Sequence, residues 1–234
     1  MKYAKLIFLP LLMLALSCDK LENLDPALAE PNLDEMVTAL KEALETGTGR
    51  AVEGLNEKDG YFGDELVKIL FPPEATKVAN TLRDMGAGAL VDDFVLSMNR
   101  AAEDAVSEAA PIFVGAITDM TFDDAKGILL GPDDAATEYF KGKTNQQLYD
   151  LFKPKIQNAL DRASATKHWN DITSTYNSIP LVTPVNTDLP DYATTEALEG
   201  LFLKLEGEEA EIRQDPAART TDAMKKVFEW AESQ

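Results

Sequence analysis

The chain of 234 residues has one cysteine, one histidine and two tryptophans. A single thiol closes no internal disulfide, so a hydrophobic core must hold the fold. One histidine excludes zinc sites built on several imidazoles and the paired Glu-x-x-His motifs of di-iron bundles. With no second thiol either, no transition-metal centre is expected, and neither a metal ligand set nor a cofactor is assigned. Basic residues are scarce: 22 Lys and Arg stand against 41 Asp and Glu, a net charge of −19. Such a surface repels phosphate, which argues against nucleic acid, and it repels anionic lipid headgroups. Basic partners and divalent cations stay open. Strand-like alternation, low-complexity tracts and repeats of fixed length are all missing. No apolar run approaches the roughly 20 residues needed to cross a bilayer as a helix.

One short apolar run is present. Residues 6–17, "LIFLPLLMLALS", follow Lys2 and Lys5 and contain Pro10. A positive start and a short apolar stretch read as a secretory signal. The run ends in "ALSC" (15–18), at the lone thiol. This is similar to the lipobox of bacterial lipoproteins, with Ala15 where that motif usually has leucine. The similarity implies a diacylglyceryl group on the Cys18 sulfur, removal of the leader and acylation of the new N-terminus. Several acyl chains, at ~0.8 kcal/mol per buried CH₂, give stable attachment. The expected organisation is a lipoprotein-type signal peptide at 1–17, a lipid-anchored tether at 18–31 and one helical domain at 32–234. The expected location is the bacterial cell envelope, on the periplasmic side. Without Lys2 and Lys5 the remaining charge is −21.

From residue 32 onward helix signals dominate. Asn32 and Glu35 form a capping box ahead of Met36, Leu40, Leu44, Ala51 and Leu55 at helical spacing, with Gly47 and Gly49 as a predicted weak point. "FPPEATKVANTLRDMG" starts at its prolines and stops at Gly86. The segment 88–110 carries a wide apolar stripe, from Leu90 to Val106. Thr121 with Asp124, Asp133, and Thr144 with Gln147 are predicted caps of three further helices, and Pro154 predicts a kink. A helix over "TKHWNDITSTYN" presents Trp169, Ile172 and Tyr176. Residues 179–191, with three prolines, are predicted irregular, followed by helices near 195–213 and 221–232. The fold class is all-α: a compact bundle of about ten helices, several short or kinked.

Five stretches, "LVDDFVLSMNRAAEDAV" (90–106), "MTFDDAKGIL" (120–129), "DDAATEYF" (133–140), "YNSIP" (176–180) and "DPAARTTDAMKKVF" (215–228), resemble one bacterial family, the domain of unknown function 4197. The resemblance implies an exported, helical, often lipidated protein. It implies no reaction and no catalytic residues.

One polar group shares a helix with the apolar stripe: Asp92, Asp93, Asn99, Arg100, Glu103 and Asp104. Arg100 has Glu103 and Asp104 as i,i+3 and i,i+4 neighbours. The group reads either as a solvated face or as a covered cluster in which Arg100 holds carboxylates or an anionic ligand bidentately. Asp123, Asp124, Asp133 and Asp134 stand where helix caps belong rather than at calcium-loop spacing. His168 with Asp171 lacks a nucleophile elbow and reads as an ordinary helical histidine. The preferred function is a non-catalytic binding or scaffold module tethered in the envelope through Cys18, docking a partner protein. One alternative is a carrier of a small apolar or amphipathic ligand among Phe94, Phe113, Phe122, Tyr139, Phe140, Phe152, Trp169, Tyr176 and Phe202. The other is an enzyme using the acidic residues around Arg100.

Overall fold

The computed structural model describes residues 30–178, 184 and 188–234. Residues 1–17, Cys18 and most of the tether lie outside that set, as do most of residues 179–187 and the side chains of Ile172 and Tyr176. The described residues form nine α-helices, two 3₁₀ turns and no strand.

α1 (Leu33–Asn56) begins at the predicted capping box: the Glu35 amide donates to Asn32 Oδ1 at 3.0 Å and the Asn32 amide to Glu35 Oε2 at 2.9 Å. It runs unbroken through Gly47 and Gly49. Gly47 is buried, and a Cβ there would meet Glu208 and Ile212 at ordinary contact distance, 3.5 and 3.6 Å. A 3₁₀ turn (Pro73–Ala75) leads into α2 (Thr76–Asp84). α2 stops in a Schellman turn: Ala87 N–H donates to Leu82 O at 2.8 Å, and Gly86 N–H to Arg83 O at 3.0 Å. Gly86 has φ +78°, which a residue without Cβ adopts freely.

α3 (Gly88–Val106), α4 (Ala109–Thr118) and α5 (Phe122–Leu129) follow. The Thr121–Asp124 box caps α5 as predicted. α6 (Ala135–Arg162) corrects two predictions. Thr144 does not open a helix; it is buried inside α6 and its hydroxyl donates to Phe140 O at 2.7 Å. Asp133 caps nothing, and Asp134, at the N-cap position, makes no side-chain cap bond. Pro154 lies within α6 on its exposed side, and water can serve the carbonyl it leaves unbonded. α7 (Ala165–Asn177) follows α6 directly. α8 (Leu189–Gln214) starts six residues before the predicted 195. Asp188 caps it by accepting from Asp191 N–H at 3.0 Å, and Pro190 sits in its first turn, where proline is tolerated. A second 3₁₀ turn (Pro216–Ala218) precedes α9 (Asp222–Glu232).

α1, α3, α6 and α8 pack together as the centre, with α4, α5 and α9 closing around α1. α2 packs chiefly on α3, and α7 folds back on α6 and α8. One hydrophobic core runs through all of this, with Phe113, Phe140, Phe152, Leu148 and Met98 fully enclosed.

Side chains remote in sequence finish several helix ends. The Glu209 carboxylate accepts from Ala136 N–H, Thr137 N–H and the Thr137 hydroxyl, each at 2.9 Å, and so caps α6. Arg213, one turn on, donates to Glu209 at 2.8 Å and to Ile128 O at 2.8 Å, closing the end of α5. Arg219, 1% exposed, donates to Ile212 O at 3.0 Å and Arg213 O at 2.7 Å, and pairs with Glu232. A cation there faces the partial negative charge at the end of α8.

Candidate functional site

The polar residues of α3 divide into two sets. Asn99 (0% exposed) and Glu103 (5%) are buried in the apolar stripe, while Asp92, Asp93 and Asp104 are exposed. The buried pair has a common task. Residues 57–72, the turn-rich connection from α1 to the first 3₁₀ turn, are held by side chains of α3 and bond to α8, with Tyr61, Val67 and Ile69 in the core. A buried loop needs partners for its backbone. Asn99 supplies them to Ile69 twice over, accepting from its N–H at 2.9 Å and donating to its carbonyl at 2.8 Å. Glu103 Oε1 accepts from Tyr61 N–H at 3.3 Å and Phe62 N–H at 3.2 Å. From the other side, the Tyr61 hydroxyl donates to Ala197 O of α8 at 2.8 Å. Gly60 fits only without a Cβ, which would stand 2.5 Å from the carbonyl oxygens of Gly54 and Leu55.

Arg100 sits at the edge of this clamp, with its side chain 34% exposed. It donates to Glu103 Oε2 at 2.5 Å and to Asp59 Oδ1 at 2.6 Å. These two carboxylates, Glu103 first, hold the guanidinium above its ordinary range. Asp104 is not brought to Arg100, and Asp92 pairs with Arg83 instead, at 2.7 Å. Arg100 therefore bridges helix and loop, with both its partners in the protein itself. Arg100→Lys is expected to lower stability by about 0.5–1 kcal/mol, because an ammonium cannot reproduce the fork. A urea midpoint unchanged from the parent would contradict the bridge.

Asp93 faces elsewhere. It lies beside a groove of about 280 Å³ between α3, the end of α2 and the α6–α7 joint. The groove contains an aromatic cluster: Phe71 and Phe94 have ring centroids 5.2 Å apart, and Trp169 lies 5.6 Å from the first and 5.5 Å from the second. Leu82 and Leu90 add aliphatic surface, Leu90 being 63% exposed. His168 is on the rim and exposed. Of the aromatic residues expected to line a pocket, Phe94 and Trp169 do so here. Phe113 and Phe152 are buried core residues, Phe140 and Phe202 are buried and line separate hollows, and Phe122 and Tyr139 pack against that core. Phe71 carries no sequence signal for this role. It precedes Pro72 in an irregular stretch, so no helical period marks its face.

Among the described residues no cluster of three or more His, Cys, Asp or Glu is placed to hold a metal ion, and no helix is long and apolar enough to cross a membrane. Asp124 serves its cap, accepting from Thr121 N–H at 3.0 Å.

The family described as "Protein of unknown function (DUF4197)" matches residues 31–229. The chain belongs to this family. The match covers nearly the whole described body of this DUF4197 protein, including the Asn99–Glu103 clamp and the aromatic groove. No curated protein and no solved structure matches it.

Proposed function

We propose that this DUF4197 protein is a non-catalytic binding module of the bacterial envelope, held at a bilayer by acyl chains on Cys18, and that it binds an apolar or amphipathic group in the groove beside Trp169. The observation that carries the reading is the groove itself. Apolar and aromatic side chains line it, a few polar groups stand at its edge, and its volume is near the lower end of small-ligand sites. Its size favours one alkyl chain or one small molecule over a broad protein surface. The signal-like leader, the lone thiol at its end and the acidic body support the location. The acid–base reading around Arg100 finds less support, since Glu103 is occupied by two backbone amides and the guanidinium.

The test is titration of the full chain, in lipid nanodiscs, with n-octanol while tryptophan emission is followed. A saturable change that disappears in Trp169→Phe is the expected result. A response that is non-saturable, or unchanged in Trp169→Phe, would place binding outside the groove and overturn the reading.

A further inference from the structure

We infer that the group this groove accepts carries a positive charge, an alkylammonium head on an apolar chain, and that Asp93 is its counter-ion; this rests on the groove being a binding site. The cations on the adjoining surface beyond Phe71 and Val91 are already engaged: Arg83 by Asp92 at 2.7 Å, and Lys68 by Glu65 at 3.6 Å and the Phe62 ring, 4.4 Å from its centroid. Among the described residues no Lys or Arg lines the groove itself, and an anionic ligand there would enter the field of a molecule with net charge −19. Asp93 is different. Its backbone carbonyl accepts from Ser97 Oγ at 2.8 Å, but among the described residues no cation pairs with its carboxylate. It stands at the groove edge, one residue before Phe94 on α3.

A chain lying along Leu82, Leu90 and Trp169 would bury apolar area while its ammonium stayed at the exposed rim beside Asp93. The rings of Phe94 and Trp169 are stacked on each other at 5.5 Å with an interplanar angle of 26°. Their facing surfaces are closed, so they serve as apolar floor and the carboxylate supplies the charge recognition.

The experiment compares octylammonium with n-octanol, matched in chain and differing in charge, on the full chain in nanodiscs, read from the Trp169-dependent emission. Octylammonium is expected to bind about tenfold more tightly, the size of one charge-assisted contact. Asp93→Asn should bring that preference below about threefold and leave n-octanol unchanged, while Asp93→Glu should retain it. Asp104→Asn is the control for the general field: it removes the same charge from the same helix, about three turns further on. It should leave the preference in place. Equal affinity for the two probes in the parent protein overturns the inference while leaving the groove as a site. An Asp104→Asn effect as large as that of Asp93→Asn overturns it too, as does equal loss of both probes in Asp93→Asn. Silence from both probes removes the binding-site reading beneath it.

Discussion

Glu209→Ala is expected to lower the unfolding free energy by about 3–5 kcal/mol, the largest effect of any single side chain discussed for this protein. Three consequences coincide in one place. The first turn of α6 loses its cap, because Ala136 and Thr137 N–H have no other acceptor assigned and Asp134 makes no side-chain bond. The buried Thr137 hydroxyl loses its acceptor. Arg213, with 13% of its side chain exposed, keeps its charge and loses the only carboxylate partner it has among the described residues. A buried ion pair contributes little over an apolar pair of the same shape, but removing one member leaves an uncompensated charge. Glu209→Gln, which keeps the shape and one acceptor oxygen, should cost clearly less. Urea unfolding measures both, with the midpoint lowered at constant slope. A loss below about 1 kcal/mol for Glu209→Ala would mean that α6 is not capped from α8.

Asn99→Ala comes second, at about 2–4 kcal/mol, for a different reason. Here no charge is stranded; the backbone of Ile69 is. Asn99 is fully buried and makes one bond to Ile69 N–H and one to Ile69 O, with a further donor bond to Val95 O at 2.8 Å. Alanine leaves both polar groups of Ile69 inside the core without partners. The damage should be local first, so hydrogen exchange is the more telling readout. Amides of Tyr61, Phe62 and Ile69 should lose protection well before those of α6 and α8. Asn99→Asp adds a pH signature. A carboxylate cannot donate to Ile69 O and would be buried among apolar side chains, which raises its pKa in the folded state above the unfolded value. The penalty is therefore largest at neutral pH, where the unfolded chain is ionised, and shrinks as pH falls and the folded protein takes up the proton. Exchange that is uniform across the molecule, or a pH-independent penalty, would show that Asn99 does not hold the loop.

These two residues also mark where sequence reading succeeds and where it stops. Caps that a helix carries within its own first turn were legible: Asn32 with Glu35 and Thr121 with Asp124 both form as their spacing predicts. The stop at Gly86 was legible because a left-handed residue is a local requirement. The sequence predicts shorter helices in place of α6 because Thr144 followed by Gln147 has the composition of a cap. The buried environment that instead turns its hydroxyl onto Phe140 O is made by other helices. The true cap of α6 comes from Glu209, 72 positions from Thr137, and no local pattern announces such a distance. The prolines of 179–191 predict a loop and so a later start for α8, although Pro190 is an opening-turn proline. The α3 polar group was found, but its division could not be. Which of its members face the loop and which face the groove depends on where residues 57–72 and α7 come to rest against α3. The groove itself needs Phe71, Phe94 and Trp169 from three separate segments, and nothing in their spacing links them.

The functional reading stands on attachment through Cys18, and the intact mass of the protein recovered from bacterial membranes tests it most directly. The account predicts a chain that begins at Cys18, with diacylglycerol in thioether linkage to the sulfur and an acyl group on the new N-terminus. A chain beginning at Met1 with a free thiol, recovered from the soluble fraction, would contradict it.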